Sequence, residues 1–149
     1  MKTITKIISS FFGVGYFPLA PGTMASLVVI IIYHFWLTAI SWYSFWGIFL
    51  LIFILGVYTS SRHAQELDRE DPQCIVIDEV AGQFLVLFRL PSSWPLLIAA
   101  FLLFRLFDIL KPFPIKRVET FPSGWGIMLD DILAGLYAGI IINLYLFLK

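Results

Sequence analysis

The chain has 149 residues, 60% hydrophobic, 17% aromatic and only 13% charged, with ten acidic and ten Lys or Arg side chains and no net charge. A soluble domain is about half apolar and a quarter charged, so this composition points to a single membrane-embedded domain over residues 1–149. Charge balance leaves no basic surface for nucleic acid, and one cysteine, Cys74, excludes an internal disulfide or a multi-cysteine zinc cluster.

The first residues, MKTITKIISSFFGVGYFPLAPGT, carry Lys2 and Lys6 beside a short apolar stretch that contains two glycines and ends in Pro18 and Pro21. No small-residue cleavage site follows a clean apolar core, so this segment reads as a retained helix in the membrane interface. A membrane helix needs about 20 apolar residues. Residues 26–40 and 44–60 supply two candidates, joined by the uncharged turn Ser41-Trp42-Tyr43, and together predict a helical hairpin. Residues 62–73 are the most polar piece and read as a solvated helix end and loop, with His63 inside it. Residues 78–89 form a third apolar segment that is short for a full span, hence tilted, buried or partly re-entrant. A fourth helix over 95–111 is stopped by Pro112 and Pro114, since proline cannot extend a helix interior. A loop through residues 122–126 leads to a last helix over 130–148. The expected fold is an all-α polytopic membrane bundle of four to five membrane segments.

Basic residues orient such a bundle. If all five segments cross, Lys2, Lys6, Arg62, Arg69, Lys111, Lys116 and Arg117 fall on one side, which should be cytoplasmic, against Arg89 and Lys149 on the other. Trp36, Trp42, Trp46 and Trp94 gather near the opposite turns, as an aromatic belt would.

Five acids then fall on the cytoplasmic side, each at the border of an apolar run, where a carboxylate is expensive unless it has work to do. Asp78 and Glu79 open the third segment in IVIDEVAGQF, with Gln83 on the helix face of Glu79. One acid would suffice to cap a helix, so two with an aligned Gln indicate a site. Arg105, Asp108 and Lys111 are spaced three apart and form one stripe. Asp130 and Asp131 open the last helix; adjacent carboxylates repel unless a cation bridges them or one is protonated. Oxygen ligands without partnering His or Cys suit Mg2+ better than zinc or copper. Gly135 and Gly139 form a G-x-x-x-G that permits close helix packing and offers a face for a homo-oligomer. Pro21-Gly22-Thr23 opens the first helix, where Thr23 or Ser26 can cap and free N–H groups can receive phosphate. His34 sits in the first apolar helix, and no histidine has metal-ligand spacing to another.

In this order, PGTMAS, DEVAGQ, FRLFDILKPFPI and GIMLDDILAG resemble the phosphatidylglycerophosphatase A family, over about residues 13–139. The resemblance implies a magnesium-dependent phosphatase of the bacterial inner membrane that converts phosphatidylglycerophosphate to phosphatidylglycerol. On that reading Asp78, Glu79, Asp130 and Asp131 are metal ligands or support them. Asp108 is a further ligand, a general base or a nucleophile, and Gln83 orients a water. Arg105 and Lys111, with Thr23 and Ser26, hold phosphate, and the partner is a membrane phospholipid. Ala25 departs from the family pattern, which usually has a second glycine there. Two other classes compete. A small ion-coupled transporter needs acids near mid-span, and a structural membrane subunit needs none of them.

Overall fold

The structure, a computed structural model, describes residues 2–149. Among these residues the fold is entirely helical. Its helices are α1 (Lys2–Ser9), α2 (Pro21–Ile32), α3 (Trp42–Leu67), α4 (Ile77–Val86), α5 (Trp94–Leu110), α6 (Ile115–Val118) and α7 (Gly124–Leu148). Pro21 stands in the first turn of α2, where its missing N–H costs nothing. The end of α2 widens into a π-helical stretch, Tyr33–Leu37, before the turn to α3. Ser41 caps α3 by accepting the Ser44 N–H at 3.1 Å.

The bundle is built around α4 and α7. Nine of the ten α4 residues are buried, and the helix packs against α2, α3, α5 and α7. Ten residues span about 15 Å, half a bilayer. The third segment is therefore a short buried helix. It crosses α7 at two glycines, and a Cβ on Gly135 would collide with the Gly82 backbone. This face of the G-x-x-x-G is thus turned into the chain itself. Gly139, one turn on, is looser: a Cβ there would make an ordinary 3.7 Å contact with Val86.

The outer surface is apolar. Leu50, Leu51 and Ile54 on α3, Ile98 and Leu102 on α5, and Ile140 and Leu144 on α7 are all exposed. Two helices, α3 and α7, are long and apolar enough to cross a membrane, and only 22% and 33% of their most apolar windows are buried. A soluble core helix would show the reverse, and contiguous apolar surface of this extent needs lipid. The chain is a membrane protein. Even α1 fits: it turns Thr5 and Ser9 inward against α3 and leaves Ile4 and Ile7 outside.

The polar stretch of residues 62–73 is the expected helix end and loop, with α3 running to Leu67 before the chain turns at Asp68. Two expectations shift. His63 lies fully buried on α3, sharing a 2.6 Å hydrogen bond with Ser9 Oγ. Finally, α7 begins at Gly124, six residues before Asp130, so Asp130 and Asp131 lie in its second turn and cannot act as end caps. Gly124 and Gly126 permit this start, since side chains there would strike the Val57 and Phe121 carbonyls.

Candidate active site

Three helix ends, the second turn of α7 and one loop meet at one end of the bundle. There the start of α2, the start of α4, the end of α5, the second turn of α7 and the loop after α3 enclose a cavity of about 740 Å³. Its wall carries Asp71, Asp78, Glu79, Asp108, Asp130 and Asp131, with Arg69, Arg105 and Lys111. All five acids singled out by the sequence reach this one cavity.

Asp78, Glu79 and Asp131 each offer a carboxylate oxygen within 4.8 Å of the others. Asp78 and Asp131 are buried and Glu79 is half-buried. Asp78 Oδ1, Glu79 Oε2 and Asp131 Oδ1 have no hydrogen-bond partner. Three carboxylates in mutual repulsion, two of them buried and each with an unpaired oxygen, are a costly arrangement in an apolar protein. A hard divalent cation resolves that cost, and the donor set fits one.

Gly22 explains the opening of α2. A Cβ there would collide with the Glu79 carboxylate, so the absent side chain lets Glu79 lie against the first turn of α2. That turn is the positive end of the helix dipole, which favours an anion. Ala25 lies fully buried in the apolar core and does not line the cavity. Its position is one of helix packing, where a methyl group is accommodated.

Asp130 stands apart from the triad. Its Oδ2 accepts from Lys111 Nζ at 2.8 Å, and its Oδ1 accepts the Asp131 N–H at 3.0 Å. Lys111 also donates to Glu119 Oε1 at 2.8 Å. Partial burial alone would lower the Lys111 pKa, but the hydrogen bonds from Asp130 and Glu119 outweigh it and hold it above the ordinary lysine value. A raised lysine pKa stabilises the fold fully at low and neutral pH, and that contribution fades only as pH climbs through the shifted value. Lys111 is thus charged at physiological pH. It also ends α5 in a left-handed conformation, φ 42°, which Pro112 follows.

Arg105 Nη1 pairs with Asp108 Oδ2 at 2.6 Å, while its buried Nε has no partner. Both members of the pair line the cavity. Gln83 is fully buried one turn along α4 from Glu79, with neither amide atom hydrogen-bonded. It does not reach the cavity wall, nor do Thr23 and Ser26. The Ser26 hydroxyl donates to the Gly22 carbonyl at 3.0 Å. Two residues that sequence reasoning left among solvated charges, Arg69 and Asp71, do line it. The one available signal was Pro72, near the end of the polar run.

Fold and site together define a helical membrane protein with an acidic, cation-capable pocket flanked by fixed positive charge. The chain belongs to the phosphatidylglycerophosphatase A family, whose model matches residues 7–146. It is similar to a phosphatidylglycerophosphatase A of Haemophilus influenzae, 43% identical over 133 residues that cover 88% of this chain and 82% of that protein. An Escherichia coli protein of the same name is 37% identical over 146 residues, covering 95% and 83%. A Bacteroides thetaiotaomicron relative, named a putative phosphatidylinositol-3-phosphatase, is 38% identical over 145 residues, covering 91% and 89%. No solved structure matches at a significant level.

Proposed function

We propose that the protein is a magnesium-dependent lipid phosphatase that removes the terminal phosphate of phosphatidylglycerophosphate to give phosphatidylglycerol. The observation that carries this reading is one cavity holding a three-carboxylate cluster together with Arg105 and Lys111. A phosphomonoester is dianionic, so its hydrolysis needs concentrated, oriented positive charge. Asp78, Glu79 and Asp131 would hold Mg2+, with Asp130 kept beside them by Lys111. When bound, the cation neutralises phosphoryl charge and polarises the phosphorus–oxygen bond. Arg105 and Lys111 then bind phosphate oxygens, the guanidinium through its planar fork. Asp108, oriented by Arg105, takes a proton from the attacking water. The water oxygen bonds to phosphorus, the ester bond to glycerol breaks, and the proton passes to the departing alkoxide. Gln83 supports α4 beneath Glu79, and Thr23 and Ser26 shape the start of α2.

The acids line one end of the bundle, which favours hydrolysis at headgroup level over transport through mid-span sites. With the basic-residue asymmetry, this supports a multi-pass protein of the bacterial inner membrane, four to five segments in all, with the cavity facing the cytoplasm.

The test is phosphate release by purified protein in mixed micelles, with and without excess chelator. Phosphatidylglycerophosphate, phosphatidylinositol 3-phosphate and phosphatidic acid are offered side by side. Mg2+-dependent release with a preference for the first is expected. Preference for the inositol lipid would move the substrate to the one in the Bacteroides relative's name, and no release from any would contradict the reading. Gly22→Ala should lower the turnover number about 10- to 100-fold at an unchanged folded yield, because the added methyl group displaces the Glu79 ligand.

A further inference from the structure

Two more hollows lie along α3. One, of about 940 Å³, shares Arg69, Asp71 and Asp130 with the acidic cavity. The other is a largely apolar groove of about 470 Å³ between α3 and α7, walled by Phe53, Ile54, Val57, Tyr58 and Trp125, with Arg62 lying over the Tyr58 ring. That groove joins the larger hollow through Ser61 and Gln65. Ile54, Val57, Ser61 and Gln65 are three or four residues apart, so one face of α3 tracks the whole route. Along it the chemistry runs from apolar, through polar, to Arg69, and then to the carboxylate triad.

Arg69 is held at its place by the way α3 stops. Asp68 takes a left-handed conformation, φ 50°, and the Arg69 N–H donates to the Ala64 carbonyl at 3.2 Å. This closes the helix end and sets Arg69 in the wall between the two hollows. Acids surround it in sequence, yet among the described residues its guanidinium has no carboxylate or hydrogen-bond partner. A planar cation left open in that wall is suited to a phosphate diester.

We propose that Arg69 binds the diester phosphate of the lipid substrate while the acyl chains lie in the α3–α7 groove, making it a specificity-determining residue. The order of groove, arginine and acid triad is the order of chains, diester and terminal monoester in a phospholipid carrying two phosphates. A lipid with one phosphate cannot satisfy both ends. The inference rests on the phosphatase reading above and adds the part of the headgroup that the triad does not touch.

The experiment measures KM and kcat for phosphatidylglycerophosphate in wild type, Arg69→Gln and Arg69→Lys, with inhibition constants for phosphatidylglycerol and for inorganic phosphate. Phosphatidylglycerol keeps only the diester; inorganic phosphate presents only the other end. Losing one charge-assisted hydrogen-bonding group should raise KM and the phosphatidylglycerol inhibition constant together, by about ten- to a hundredfold in Arg69→Gln. The turnover number and the phosphate inhibition constant should hold, and Arg69→Lys should recover most of the loss. Unchanged KM and phosphatidylglycerol inhibition would overturn the assignment, as would a phosphate constant that rises in step with them. Wild type that leaves phosphatidylglycerophosphate intact would defeat the phosphatase reading, and this inference with it.

Discussion

Asp131→Asn should lower phosphate release by about a thousandfold or more while leaving the protein folded, and in excess chelator the variant should melt no lower than wild type. Both halves come from the same geometry. Asp131 is one of three carboxylates whose oxygens lie within 4.8 Å of one another, and its Oδ1 has no partner. Losing a charged ligand weakens cation binding and the charge neutralisation that phosphoryl transfer depends on. Without the cation, however, the three carboxylates repel one another in a buried place. Replacing one with a neutral amide of nearly the same shape relieves that repulsion. A structural salt-bridge partner would behave in the opposite way, with stability falling alongside activity. Initial rates and thermal unfolding in detergent, each with and without chelator, separate the two. An active variant, or one that loses its melting temperature in proportion to its rate, would count against the site.

Gly135→Val should cost about 3 kcal/mol or more and sharply lower the folded yield, whereas Gly139→Ala should change stability by no more than about 0.5 kcal/mol. The two glycines look alike in sequence, four residues apart on α7. In space they differ. The Cβ position of Gly135 is already occupied by the Gly82 backbone, which is part of α4 and cannot move aside as a side chain would. Forcing α4 and α7 apart would also shift Asp78 and Glu79 relative to Asp131, so catalysis should fail before global unfolding. Near Gly139 the nearest atom, Val86 Cα, leaves room for a methyl group. Thermal melts of the two variants in the same detergent give the comparison directly.

Much of this was legible in the chain because apolar runs and their interruptions report helices well. The hairpin around Ser41, the stop at Pro112 and the short third segment all follow from such patterns. The convergence of Asp78, Asp108 and Asp131 was legible too, through topology, since alternating helices bring those borders to one side. Boundaries were harder. Pro122-Ser123-Gly124-Trp125-Gly126 reads as loop because glycine is a poor helix former. Here Gly124 and Gly126 are used for close backbone approach instead, and α7 starts six residues early. Residues 62–67 form the polar helix end that their composition suggests, but His63 among them is buried against Ser9 rather than solvated. Nor can sequence spacing separate Asp130 from Asp131. Neighbours on a helix point about 100° apart, so one meets Lys111 and the other meets Asp78 and Glu79. Arg69 and Asp71 were hidden because only the folded helix end carries them to the cavity wall.

Anomalous diffraction from crystals soaked in Mn2+, a spectroscopically visible substitute for Mg2+, locates the ion itself. A peak in coordinating reach of Asp78, Glu79 and Asp131, lost in the Asp131→Asn protein, is the expected result. Density at some other place, or none at a concentration that sustains turnover, would contradict a shared ion at the meeting point of α4 and α7.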